Sequence, residues 1–530
     1  MHHYKICDHP KKPWLTKLGR HGQLTLWLIM LGLGPLTPAF AQPTKSPAIH
    51  MQVDVNQTIG STTPLHNLIE AVGHGHRPSS ELVQPLRELG TKRIRLINVD
   101  YVETQITTDE QGNKKLIARA LDNQLDFCEK VGASPHVIIG QKIPPWLSTH
   151  KNNPWYGPRD WKIYDDYIRR LMEHVIVTRG FRQATWEVGN EPDTGHGPVI
   201  DFPRGPKGSK SDYLDYLNIY RHIATIAAQL EKKLGIPIKL GGPASGLLKT
   251  YKKFKAFNWY EHFLQDVARE QLKCDFFSFH YYGHASAIGD RANPPRQLKR
   301  FGELMTMVHG WINKYHPGLP VWITEWGASG CLRRPGGLLN ATNVGAAWIA
   351  AFVPEMLRYR VERAIFLVVA DREDNWVWPA LFHGTTPKPS FYVFRMFKSL
   401  KGQMLAVKGG STAVGAVAAR ENHDLAILLW NYDHRHGWCD AGYDAAKLEK
   451  VSLRVTGLPA NQQTFQVTQT MVSEEYGNPF YQTLPGKKAS PEPLIQDLGK
   501  RTQSKGGVEM EISLPPSAVI LLEFSPGAGP

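Results

Sequence analysis

From residue 66 to about 400, short apolar runs alternate with stretches in which apolar residues recur every three or four positions. A continuous or alternating apolar run reads as a strand, and the three-four period reads as the buried face of a helix. Eight strand candidates follow: Asn67–His74, Lys92–Asn98, Ser134–Gly140, Thr185–Asn190, Ile236–Gly242, Phe276–Tyr281, Val321–Glu325 and Ala364–Ala370. Between them lie the stripes Leu82, Val83, Leu86, Leu89, then Tyr164, Ile168, Leu171, Val175, then Tyr220, Ile223, Ala227, Leu230, Leu234. Each is followed by a glycine, Gly90, Gly180 or Gly235, where a helix stops because glycine takes left-handed backbone cheaply. Eight strand–helix units predict an α/β protein, a closed (β/α)8 or TIM barrel over residues 66–402.

After Gly402 the texture changes. The runs Met404–Val407, Val414–Ala418, Leu425–Tyr432, Val451–Val455, Thr464–Val472, Val508–Leu514 and Val519–Phe524 follow one another with no helical stripe between them. Their spacing predicts a C-terminal antiparallel β-sandwich over residues 403–530. Met51–Val55 alternates like a strand, so the segment 42–65 is expected to lend that sandwich an N-terminal strand. Gln482–Lys505, rich in Pro, Lys and Ser, reads as a long exposed loop.

Residues 1–41 read as a leader rather than as fold. Lys5, Lys11, Lys12, Lys17 and Arg20 precede an apolar run from Leu24 to Leu33, and Ala39-Phe40-Ala41 supplies an A-x-A cleavage signal. The run is broken by Pro35 and is short of the roughly 20 residues needed to span a bilayer, so an uncleaved anchor is the weaker alternative. Export to the periplasm or the exterior is expected, with no stable membrane insertion after cleavage. Without the leader's basic residues the chain still carries most of its formal charge of +14. No basic helix, zinc spacing or RNA-binding signature accompanies that charge, which argues against a nucleic-acid partner. Cys128, Cys274, Cys331 and Cys439 have no CxxC spacing, so a metal site is not indicated. Cys128 shares an apolar face with Ile117, Leu121 and Leu125 and is expected in the core; Cys331 with Cys439 is the pair to test for a disulfide.

Two glutamates carry the chemistry. Glu191 ends the run Trp186-Glu187-Val188-Gly189-Asn190-Glu191-Pro192, and Glu325 ends Val321-Trp322-Ile323-Thr324-Glu325. The carboxyl ends of barrel strands are where chemistry collects, and a pair of carboxylates there is what glycoside hydrolysis needs. Asn190-Glu191-Pro192, then Phe279-His280-Tyr281-Tyr282, then Thr324-Glu325-Trp326-Gly327, in that order, resembles the clan A (β/α)8 glycosidases. Within them the chain is most similar to glycoside hydrolase family 39, which contains β-xylosidases and α-L-iduronidases.

The resemblance implies a retaining glycosidase with Glu191 as acid/base and Glu325 as nucleophile, Arg95 and Tyr282 beside the nucleophile, and Asn190 on the sugar's 2-hydroxyl. It also places His280 near the same ring. Trp146, Trp326 and Trp378, with Trp376, fall on predicted rim loops, where a flat ring can stack on a sugar; the plain alternative is that they fill the core. At two positions the chain departs from those relatives: Ile97 stands two residues after Arg95 where they carry His, and Gly189 stands before Asn-Glu-Pro where they carry Trp. Gly-Asn-Glu-Pro-Asp is similar instead to the heparanase-like family 79, so no sugar is carried over from either.

Arg204, Lys207 and Lys210 follow strand 4, and Arg333 and Arg334 follow strand 7. They raise an anionic glycan as a reading beside that of solvated loop charges. The expected partner is thus a poly- or oligosaccharide, and no cofactor is implied because the carboxylates suffice. Two rival functions share the motifs: a transglycosylase, in which a sugar hydroxyl replaces water, and a non-catalytic glycan-binding protein on a glycosidase barrel.

Overall fold

A computed structural model of the chain describes residues 48–74, 79–112, 114–150, 153–195, 197–200, 209–246, 257–283, 295–330, 336–371, 376–432, 447–459, 463–483, 486, 488–504 and 506–527. Eight parallel strands close a barrel: Ala71–His74, Arg93–Leu96, Ser134–Ile139, Thr185–Val188, Lys239–Ser245, Phe276–Tyr282, Val321–Gly327 and Val361–Phe366. Helices lie between them, the longest being Lys210–Leu234, which ends on Gly235 at φ +64°. Gly90 and Gly180, at φ +70° and +76°, follow the other two apolar stripes as the sequence implies.

Two strands differ from expectation. Residues 63–67 coil into a helix begun by Pro64, so the first strand starts only at Ala71. The eighth strand starts earlier, at Val361, and ends at Phe366; Val368–Asp371 then leaves the barrel to pair with Ala380–His383 in a small sheet. A hairpin of Thr104–Thr108 and Lys114–Ala118, inserted after the second strand, was not expected.

Barrel strands are buried on both faces, which hides their alternation from a hydropathy pattern. Ile94, Leu96, Trp186, Val188, Phe277, Phe279 and Tyr281 point outward into the main core under the helices. Their neighbours point inward. Trp322 stacks on Phe276 with ring centroids 4.0 Å apart and His136 lies 5.7 Å from Trp322, so the barrel centre is plugged by rings beneath the polar mouth.

The remaining strands form one nine-stranded sheet, in the order Leu494–Thr502, Thr464–Val472, Val519–Pro526, Asp424–Asn431, Val414–Glu421, Gln403–Gly409, Ile49–Ser61, Glu449–Thr456, Gly507–Leu514. Phe465 and Val467 near one end of that order share a core with Val508, Met510 and Ile512 at the other, so the sheet folds over on itself as a sandwich. Ile49–Ser61 joins it between Gln403–Gly409 and Glu449–Thr456, as its alternation implied. Gln482–Lys505 corrects the expectation of a loop: Leu494–Thr502 is an edge strand whose residues are almost all partly or fully exposed, so burial left no apolar signal in it.

Strand Asp424–Asn431 has two buried faces. Leu425, Ile427 and Leu429 enter the sandwich core, whereas Ala426 and Leu428 enter the barrel's core against its last helices. Barrel and sheet accordingly belong to one compact unit, Pro47–Pro530. Cys128 and Cys274 are buried free thiols; Cys331 and Cys439 lie outside the described residues.

Candidate active site

Alternation alone would aim Glu325 the wrong way. Val321 and Ile323, of the same parity, face the outer core. Register with the sixth strand slips after Ile323: Ile323 pairs with Phe279, and Glu325, not Thr324, pairs with His280. Thr324 is the extra residue of a bulge, and it turns Glu325 into the barrel mouth while sending Trp326 outward. Trp326 is fully buried among Trp348, Phe352, Phe366 and Phe394, which corrects its expected role as a sugar platform.

Glu191 is aimed by backbone too. Strand four ends at Val188; Gly189 takes φ +79° and Glu191 itself φ 49°, a conformation only glycine adopts without cost. The Gly189 that departs from related sequences thus has a backbone reason.

Four strands deliver side chains to one cluster. Arg95 Nη1 donates to Glu325 Oε1 at 2.6 Å, and Tyr282 Oη donates to Glu325 Oε2 at 2.7 Å. Arg95 also donates through Nε to Glu187 Oε2 at 2.8 Å and through Nη2 to Asn190 Oδ1 at 2.7 Å. His280 Nδ1 lies 3.0 Å from Glu191 Oε1 and 3.4 Å from Glu325 Oε2. One oxygen of each glutamate and a ring nitrogen of His280 fall within 4.8 Å of one another.

Arg95 and Glu187 are fully buried. Burial opposes ionisation of Glu187, but Arg95, His136 and His280 together outweigh it and hold that carboxyl well below the usual range. For Arg95, burial favours losing the proton, and Glu187 and Glu325 reverse this and raise its pKa. Burial likewise opposes charge on His280, and Glu325 and Glu191 outweigh it, so its pKa is raised.

Among the described residues, Glu191, His280 and Glu325 are the trio close enough to share an ion. The donor set fits proton chemistry better. Arg95 Nη2, which can only donate, faces His280 Nε2 at 3.3 Å, and a ring proton on Nδ1, in the neutral tautomer or the imidazolium, points at Glu191 instead of offering a lone pair.

The other expected contacts divide. Trp378 packs, partly buried, with Tyr282, Leu367, Val368 and Ala380, beside the cluster. Trp146 donates its indole N–H to Thr104 O at 2.8 Å and lines a cleft of about 710 Å³ with Tyr101, Glu103, Thr149 and Arg159. Trp376 stacks on His383 at 3.8 Å. Arg204, Lys207, Arg333 and Arg334 lie outside the described residues, and Lys210 is exposed.

Glu187, His136 and Asp193 belong to the surroundings of the cluster and were not singled out by sequence. Glu187 had a signal: a charge in an otherwise apolar strand, at a position where neither the motif nor the strand's end explains it.

A barrel with paired carboxylates at its mouth is found in many enzymes; the profile of the chain separates them. The family description "Glycosyl hydrolases family 39" matches residues 56–485. The chain belongs to that family. It is a glycoside hydrolase whose substrate is a carbohydrate. The fold is shared with a family 39 enzyme from Xanthomonas axonopodis pv. citri, at 18% identity and a TM-score of 0.68 over 93% of this chain and 100% of that one. A monomeric β-xylosidase from Caulobacter crescentus CB15 matches at 18% identity and 0.70, over 91% and 100%. A bacterial orthologue of human α-L-iduronidase matches at 15% and 0.62, over 91% and 84%.

Proposed function

We propose that this family 39 glycosidase works with retention, Glu325 as nucleophile and Glu191 as acid/base. The observation that carries the reading is the proximity of the two carboxylates: oxygens within 4.8 Å leave no room for a water between nucleophile and sugar, and retaining pairs stand about 5–5.5 Å apart. Glu325 attacks the anomeric carbon as the C–O bond to the leaving group breaks and Glu191 gives that oxygen its proton. The ester so formed is opened by water, whose proton returns to Glu191, and Glu325 leaves as carboxylate. Arg95 and Tyr282 orient the nucleophile, and Asn190, with its oxygen held by Arg95, has its amide N–H groups to offer a sugar hydroxyl.

The substrate we propose is an anionic glycan met outside the cytoplasm. Supporting it are the net charge of +14, to which residues 1–41 contribute only five basic and one acidic residue, the basic residues of the loops after strands four and seven, the leader-like character of residues 1–41, and Lys142 beyond strand three. The Lys142 ammonium is fixed 4.5 Å from the ring centroids of both Tyr101 and Trp155.

Glu191→Ala tests the assignment. Turnover of the natural glycan should fall by roughly 10²–10⁴-fold, and azide should restore turnover of an activated aryl glycoside, trapped as a glycosyl azide of unchanged anomeric configuration. An azide product of opposite configuration would indicate inversion, and undiminished glycan hydrolysis would remove Glu191 from the mechanism.

A further inference from the structure

We propose that Asp193 is the positioning residue of Glu191, acting through Ser245 and Gly246, so that the carboxyl end of the fifth barrel strand sets the place of the proton donor. The inference rests on Glu191 being the acid/base.

Asp193 is fully buried in the turn Pro192–Thr194. Its Oδ1 accepts the Gly246 N–H at 2.9 Å and its Oδ2 accepts the Ser245 hydroxyl. A third bond runs the other way, from Glu191 N–H to Ala244 O at 2.9 Å. Segments 191–194 and 244–246 are therefore laced together at the barrel mouth.

Both segments hold a non-glycine residue in left-handed backbone, Glu191 at φ 49° and Ala244 at φ 52°. Such a residue is strained and persists only where its surroundings hold it. The bonds to Asp193 supply that hold.

The result is a cage for one carboxyl group. Gly246 presses its bare backbone on Glu191: a Cβ there would stand 2.4 Å from both Cδ and Oε1 of the glutamate. His280 Nδ1 donates to the same Oε1 at 3.0 Å. Gly246 itself has no positive φ, so its lack of a side chain answers to this contact alone.

Loss of Asp193 would let 244–246 withdraw and give the Glu191 carboxyl other orientations. A misplaced acid harms substrates whose leaving group needs a proton and spares those whose leaving group departs as an anion. That dependence separates positioning from general damage.

The experiment is kcat/KM for a series of aryl and alkyl glycosides of rising leaving-group pKa, with Glu191→Ala as reference. For Asp193→Ala we expect a loss of about 100-fold on the poorest leaving group but only a few-fold on the best, within the range of general-acid catalysis. Asp193→Asn should keep most activity, because the Ser245 hydroxyl can turn to accept from the new NH2 while the amide oxygen keeps Gly246 N–H. Gly246→Ala, which leaves Asp193 untouched, should reproduce the steep dependence. If Asp193→Ala fails to fold by circular dichroism, Gly246→Ala and Asp193→Asn carry the test. Equal losses across the series for Asp193→Ala and Gly246→Ala, or wild-type values, would overturn the proposal. A flat series for Glu191→Ala would instead overturn the role of Glu191.

Discussion

Arg95 ties Glu325, Asn190 and Glu187 together through one guanidinium. Its planar fork meets these three acceptors through three separate nitrogens, a spread that the single ammonium nitrogen of a lysine does not match at this position. Glu187 gives the Arg95 charge a permanent partner, so that the guanidinium need not be neutralised by the nucleophile alone. Its folded pKa is depressed below the ordinary 4.5, so its ionisation contributes stability that is present above pH 4.5 and is lost as pH falls from there toward the depressed value. Glu187→Gln should therefore cost about 3–5 kcal/mol at pH 7, the usual loss on removing one partner of a buried ion pair. Below pH 4 the gap between variant and parent should narrow. Urea unfolding at pH 7 and pH 3 checks both halves; an equal gap at the two pH values would mean that Glu187 contributes by packing, not charge.

The strands and turns that carry the cluster also have supports of their own. The loop bearing Trp376 and Trp378 is held by Lys388, a fully buried lysine capping helix Pro389–Ser399, whose Nζ donates to Asp371 Oδ2 at 2.9 Å, Trp376 O at 3.0 Å and Trp378 O at 2.8 Å. Lys388→Met leaves Asp371 with only His383 as a partner and should lower the melting temperature and raise KM, since Trp378 packs against the apolar group that includes Tyr282. Adding Asp371→Asn should recover part of the melting temperature by removing the stranded charge, and no recovery would show that the lysine matters only for its carbonyl contacts. At this scale the sequence was legible where one period held. Six of the eight barrel strands and the runs of the sandwich stand close to where apolar runs placed them, and Glu191, Glu325, Arg95, Asn190, His280 and Tyr282 meet as the motifs implied. What was not legible was irregular. The bulge at Thr324 reverses the parity that would have kept Trp326 at the mouth, the first strand starts only at Ala71 although its apolar run begins just after the helix Thr63–Asn67, and the edge strand Leu494–Thr502 buries too little to show a pattern.

On the scale of the whole molecule, a strand such as Asp424–Asn431 that feeds two cores makes barrel and sheet mutually dependent through buried apolar residues, a hold separate from charge. That separation makes the anionic-glycan proposal testable. If Arg204, Lys207, Arg333 and Arg334 draw in a charged substrate, they act as exposed charges through water. Raising salt from low to a few tenths molar shortens screening to ~5–8 Å and should raise KM for the best substrate. The chemical step lies among buried groups bonded to one another, so kcat should hardly move. Replacing Arg333 and Arg334 by Ala should raise KM and flatten its salt response together, because binding that is equal in ground and transition states alters KM and not kcat. Lys142→Met provides the contrast: its ammonium is fixed between two rings, so its loss should raise KM at every salt concentration. A KM indifferent to salt and to all three substitutions would leave those residues as solvated loop charges, and the substrate would then be a neutral sugar.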